Sequence, residues 1–209
     1  MIHEILPVGF YFQQNCAILA DEETREAFLI DPGDEAGLIL QKIESLAVTV
    51  KAILITHAHL DHVGALAETK EALGVPVYLH PGEAELYASV PEQAKLFNLP
   101  PIRLAEIDHP IAEGDRFPLG HCELQALLTP GHSPASISFY IPQAKRVIAG
   151  DTLFKRSIGR TDLPGGNLDT LLRSIRKKLL TLPADTEVYP GHGPSTTIAE
   201  EARFNPFLV

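Results

Sequence analysis

The run Thr56-His57-Ala58-His59-Leu60-Asp61-His62 places four metal-ligating side chains within seven residues. It follows Ala52-Ile53-Leu54-Ile55, whose continuous apolar character reads as a buried strand. It leads into a segment whose apolar positions Val63, Leu66, Ala67 and Leu73 share one stripe, which predicts a helix near 60–73. At an extended strand end, residues two apart project to the same side, so His57 and His59 can grip one ion together. Asp61 and His62 sit in the turn entering the helix, where the rotating backbone aims them at a second point. A helix N-terminus repels cations through its dipole, which makes the Asp61 carboxylate the natural intermediary there.

Four ligand-type residues do not complete two coordination shells, and the rest of the chain supplies more. His132 lies in Thr129-Pro130-Gly131-His132-Ser133, Asp151 in Ala149-Gly150-Asp151-Thr152 and His192 in Pro190-Gly191-His192-Gly193. Each follows an expected strand, and in each a glycine directly precedes the ligand, which lets backbone approach closely. Strand carboxyl ends are also where α/β architectures gather their active sites. A lone His-X-His is a weak signal, since turn histidines are common and usually solvated. The set is stronger because every member carries a ligand side chain at a strand end. The other histidines, His3, His80, His109 and His121, read as surface or satisfied structural residues, with His80 the one expected nearest the site.

Working outward, the first half predicts strands near 2–8, 15–20, 26–31 and 75–79 and a helix over 35–47. The stretch 82–109 reads as helical at first and then irregular. The second half predicts strands near 115–118, 122–128, 137–141, 146–149 and 187–189. It also predicts a helix over 168–180 capped by Asn167, and a last helix after Pro194-Ser195. Strands and helices alternate in both halves, the pattern of an α/β protein with sheets covered by helices.

The 209 residues are 45% hydrophobic and 21% charged, ordinary usage for one globular domain spanning 1–209. No apolar run approaches a membrane span, and the N-terminus lacks the basic patch and apolar core of a signal peptide, so a cytoplasmic protein is expected. A net charge of −10 argues against nucleic-acid partners, whose phosphates require a basic face. Cys16 and Cys122, one in each half, read as buried reduced thiols.

The run THAHLDH resembles the T-H-x-H-x-D-H signature of the metallo-β-lactamase fold superfamily. GHS at 131–133, GDTLF at 150–154 and PGHG at 190–193 resemble its later motifs in the same order. The chain looks most like the glyoxalase II (hydroxyacylglutathione hydrolase) branch, in the short bacterial form that lacks a C-terminal helical domain. That resemblance implies a four-layer αβ/βα sandwich of two mixed sheets with helices on the outer faces. It also implies two divalent metal ions, zinc first and iron or manganese as alternatives. The first ion would be held by His57, His59, His132 and Asp151, and the second by Asp61, His62, His192 and the same bridging Asp151.

The expected reaction follows from such a site. Bound water loses a proton near neutral pH, its pKa falling from about 15.7 towards roughly 7. The resulting hydroxide would attack a thioester carbonyl such as that of S-lactoylglutathione, with Asp61 and Asp151 as the catalytic carboxylates. The substrate is expected to be a small anionic thioester. Arg160 stands where the branch places a basic residue against a glutathione carboxylate; the alternative for it is a structural ion pair with Asp162. Larger members of the branch have tyrosines where this chain has Thr161-Asp162 and Gly193-Pro194. A mononuclear-iron persulfide dioxygenase of the same superfamily is the main rival. A β-lactamase, an RNA-processing enzyme and a non-enzymic protein stapled by metal are further alternatives.

Overall fold

The ten strands expected from sequence, joined by two the sequence did not show at His109–Pro110 and Thr196–Thr197, pair into two mixed six-stranded sheets in the computed structural model, which describes residues 1–209. The chain divides into two compact units, residues 1–111 with 119–121 and residues 112–118 with 122–209.

In the first unit β1 (Ile2–Val8), β2 (Gln14–Ala20) and β3 (Glu26–Ile30) form an antiparallel meander. After α1 (Ala36–Leu46), β4 (Thr49–Leu54) runs parallel to β3. The helices α2 (Leu60–Val63) and α3 (Leu66–Leu73) lead to β5 (Val77–Leu79), parallel to β4. Next come α4 (Ala84–Ala88) and α5 (Val90–Leu96), and β6 (His109–Pro110) closes the sheet. Ile18, Leu29, Ile53 and Ile55 are fully enclosed in its core. Each such side chain contributes roughly 1.5–3 kcal/mol relative to exposure.

The helix expected over 60–73 is two helices. Ala65, at φ −100° and ψ 8°, donates its N–H to the Pro32 carbonyl at 3.0 Å rather than continuing the helical ladder. The stretch after α5 is irregular, as expected, yet anchored. The Tyr87 hydroxyl donates to the Ala105 carbonyl at 3.0 Å and accepts from the Ala105 N–H at 2.8 Å. Burial pushes the Tyr87 phenol up to about 12, against the pull of the Ala105 hydrogen bond.

In the second unit β7 (Arg116–Leu119), whose Leu119 is grouped with the first, β8 (Cys122–Leu128), β9 (Ile137–Ile141) and β10 (Arg146–Gly150) form adjacent strands. The short hairpin of β11 (Leu153–Phe154) and β12 (Ser157–Ile158) precedes α6 (Leu168–Ser174). Asn167 caps α6, its side-chain oxygen accepting from the Thr170 N–H at 2.9 Å, and a π-helical turn at Ile175–Leu179 extends it. Then β13 (Glu187–Pro190) pairs parallel to β10, followed by β14 (Thr196–Thr197) and α7 (Ile198–Phe204). Glu201, fully buried, fixes α7 by accepting from the Arg156 N–H, the Thr196 hydroxyl and the Asn205 amide.

The expected α/β class with two mixed sheets therefore stands. The expectation of two buried thiols holds for Cys16 but not for Cys122, which opens β8 beside the Gly120 turn and is half-buried.

Candidate metal centre

Each unit carries a cluster of the ligand-type residues singled out in the sequence. In the first unit, β4 delivers the chain to a loop at residues 55–59 and then to α2. His57 is fully buried and His59, at the N-cap of α2, is 7% exposed. The His57 ring meets that of His59 edge-on at 4.8 Å between centroids and that of His62 at 4.0 Å. Asp61 lies in the first turn of α2, half-buried. The strand-end reading thus brings His57, His59 and His62 together, with Asp61 beside them in sequence.

Asp31, which sequence reading passed over, organises this cluster. It is 2% exposed, at the end of β3. Its Oδ1 accepts from the Thr56 N–H at 2.7 Å, and its Oδ2 accepts from the Thr56 hydroxyl at 2.6 Å. The same Oδ2 lies 2.9 Å from His62 Nδ1. A carboxylate accepts only, so His62 carries its proton on Nδ1 and presents the Nε2 lone pair. The Thr56 hydroxyl has given its one proton to Asp31. It therefore accepts from His57 Nδ1, 3.0 Å away, which puts the His57 lone pair on Nε2 as well. Asp31, His57 and His62 also sit close enough to hold an ion among themselves. Both Asp31 oxygens already accept hydrogen bonds, which makes Asp31 an orienting carboxylate. Its only sequence signal was an Asp-Pro-Gly turn at a strand end.

The ligand loop is held from two further sides. Glu83, fully buried at the start of the 82–109 stretch, accepts from the Ala58 N–H at 3.0 Å. Gly33 lets the 31–34 loop close onto α2, since a Cβ there would lie 1.8 Å from the Asp61 carbonyl oxygen. His80, expected nearest the site, accepts from the Gly82 N–H and caps a 3-10 turn. His109 packs on Tyr78 and His121 pairs with Glu23.

In the second unit the strand ends bring His132, Asp151 and His192 together. A bulge in the β10–β13 pairing between Ile148 and Gly150 immediately precedes Asp151 and turns it out of the ladder. Gly131, at φ 128°, lets the His132 loop lie against α6, where a Cβ would fall 2.3 Å from the Leu171 nitrogen. Beneath this loop Thr129 Oγ1 links to Ser138 at 2.9 Å and to Thr152 at 3.2 Å, joining the His132 and Asp151 segments through buried hydroxyls. His132 Nδ1 donates to the Arg160 carbonyl at 2.9 Å, which turns its Nε2 lone pair inward.

The Nε2 atoms of His132 and His192 lie 3.5 and 3.6 Å from one atom, Asp151 Oδ2. Both separations exceed a hydrogen bond. They match the roughly 3.3–3.6 Å between neighbouring ligands on a tetrahedral ion with bonds of about 2.0–2.2 Å. The donor set therefore fits divalent metal, with imidazole and carboxylate donors, no thiolate, and one carboxylate oxygen facing two imidazoles. The Arg160 side chain instead grips Asp162, Nε to Oδ1 at 2.8 Å and Nη2 to Oδ2 at 2.7 Å. The Arg160 guanidinium pulls the Asp162 carboxyl down to about 2.

A model of the metallo-β-lactamase superfamily matches residues 9–192. The hydroxyacylglutathione hydrolase GloC of Haemophilus influenzae is 44% identical over 207 residues, covering 98% of this chain and 97% of that protein. A crystal structure of the B3 metallo-β-lactamase BLEG-1 superposes with a TM-score of 0.90 at 38% identity, covering 100% of both chains. One of TTHA1623 in a di-iron-bound form gives 0.89 at 42% identity, covering 98% of this chain and 100% of that one. The chain belongs to the metallo-β-lactamase superfamily, as a metal-dependent hydrolase.

Proposed function

We propose that the chain is a cytoplasmic thioester hydrolase of the glyoxalase II kind, working with two divalent metal ions. His57, His59, His132 and Asp151 would hold one ion, and Asp61, His62, His192 and Asp151 the other. The observation that supports the dinuclear reading is the single Asp151 oxygen 3.5 and 3.6 Å from two imidazole nitrogens. Zinc is the first assignment. The di-iron form of TTHA1623, at 42% identity, supports iron as the alternative.

When bound, the ions supply an acidified water and an electrophile for a carbonyl oxygen. The protein's own groups do the positioning. Asp31 through Thr56, and the Arg160 carbonyl, hold three histidines in the Nδ1–H tautomer. Asp61 orients the attacking water and carries its proton. A leaving thiolate departs without needing protonation. Arg160 is proposed to meet a substrate carboxylate, which must then displace Asp162 from the guanidinium. The hydroxyacylglutathione hydrolase named among the relatives supports a thioester substrate such as S-lactoylglutathione.

A second reading, β-lactam hydrolysis, is favoured by the likeness to BLEG-1. Metal-replete protein is expected to release thiol from S-lactoylglutathione, with the release abolished in His192→Ala. Absence of release alongside opening of a chromogenic cephalosporin would replace the first reading with the second.

A further inference from the structure

The first unit contains a cavity of about 220 Å³ beside Asp61, with walls that include Val8, Leu60, Leu99 and Ile102. Gln14, at the start of β2, also lines it. Gln14 is only 1% exposed, and neither its amide oxygen nor its amide nitrogen has a hydrogen-bond partner within the protein. Its Oε1 sits against Gly33, another lining residue, where a Cβ would come within 2.8 Å. A buried carboxamide with both ends unbonded is costly, and such groups in folded proteins usually have a partner.

The chemistry of that partner can be narrowed. A purely apolar chain would leave Gln14 unbonded. An ester or ether offers acceptors only and would serve the Gln14 nitrogen alone. A primary carboxamide presents an N–H and its carbonyl on the same edge, one to Oε1 and one to Nε2, and satisfies both ends at once. A trans secondary amide points them in opposite directions and serves only one. Anions are disfavoured, because Asp34, Glu35, Glu68 and Asp61 also line the cavity. The lining cation, Arg103, is held bidentately by Glu71 at 2.6 and 2.9 Å. At roughly 30 Å³ per water-sized group, the volume takes about seven such groups.

We propose that this cavity receives a neutral arm of the substrate ending in a primary carboxamide, anchored by reciprocal hydrogen bonds to the Gln14 carboxamide. The assignment of that arm to a substrate rests on the hydrolase reading. The amide preference of the cavity does not.

The test separates the two. Pentanamide and 2-hexanone, which differ in NH2 against CH3, are titrated into the intact protein and followed by amide chemical shifts. Pentanamide is expected to bind about tenfold more tightly, perturbing residues 14, 33, 99, 102 and 103, and Gln14→Leu is expected to erase the difference. Equal affinities in the wild-type protein, or perturbations elsewhere, overturn the proposal without depending on how the variant folds. Two thioesters then place the arm, one with a primary carboxamide in its thiol half (S-propionyl-3-mercaptopropanamide) and one with it in its acyl half (the ethanethiol ester of malonamic acid). A KM raised about tenfold by Gln14→Leu for either assigns the cavity to that half. An unchanged KM for both overturns the substrate role. If neither thioester is cleaved while the amide preference stands, the hydrolase reading has failed and the ligand site has not.

Discussion

Asp31 governs the chemistry of the first cluster although it is not among its proposed ligands. One buried carboxylate fixes His62 directly and His57 through Thr56. Asparagine would keep the shape but turn two donors towards neighbours that also donate. Asp31→Asn is therefore expected to weaken metal binding by about 10–100-fold in a competitive chelator titration. Unchanged affinity would remove Asp31 from the account. The Arg160–Asp162 pair gives a second prediction at this scale. The folded-state pKa of Asp162 is depressed to about 2. The pair's contribution is therefore present above the ordinary carboxylate range near 3.9 and is lost as pH falls through 2. Carboxyl ¹³C shifts are expected to show Asp162 still ionised at pH 3, and a midpoint near 4 would mean the pair does not persist in solution. The proposed ligands stood out in the sequence because His and Asp announce their chemistry at strand ends. Asp31 and Gln14 were not, since an Asp-Pro-Gly turn and a strand-opening glutamine look ordinary until burial and bonding are known.

Among the elements, the break between α2 and α3 was hidden by a periodicity that runs through it. Gly64 is tolerated in a helical pattern, and nothing in the local sequence says that Ala65 turns its N–H to Pro32. The reason is tertiary. The 31–34 loop presses onto α2 so closely that a Cβ on Gly33 would meet the Asp61 carbonyl. Gly33→Ala is expected to cost about 1–3 kcal/mol or more in denaturant unfolding and to lower metal affinity, since relief requires moving Asp61. Full stability with full metal content would show that the loop has slack. Strand positions were the best-read feature, because apolar runs such as Ile53–Ile55 have few other solutions. The stretch 82–109 was the worst-read. Its order comes from Tyr87 gripping Ala105 and from Glu83 bracing the ligand loop, neither of which has a period.

For the molecule as a whole, alternation of strands and helices suggested an α/β protein, but the motif order identified the superfamily. The net charge of −10 fits a small-molecule enzyme better than a nucleic-acid-binding one. No helix is long and apolar enough to cross a membrane. Four of the seven proposed ligands, His57, His59, Asp61 and His62, belong to the first unit, and His132, Asp151 and His192 belong to the second. These seven residues are proposed to hold two ions sharing Asp151. Metal content per chain, measured by plasma mass spectrometry on metal-replete protein, tests it most directly. Two ions are expected in the wild-type protein and no more than one in Asp151→Ala. A single ion in the wild type, or two retained in the variant, would contradict it.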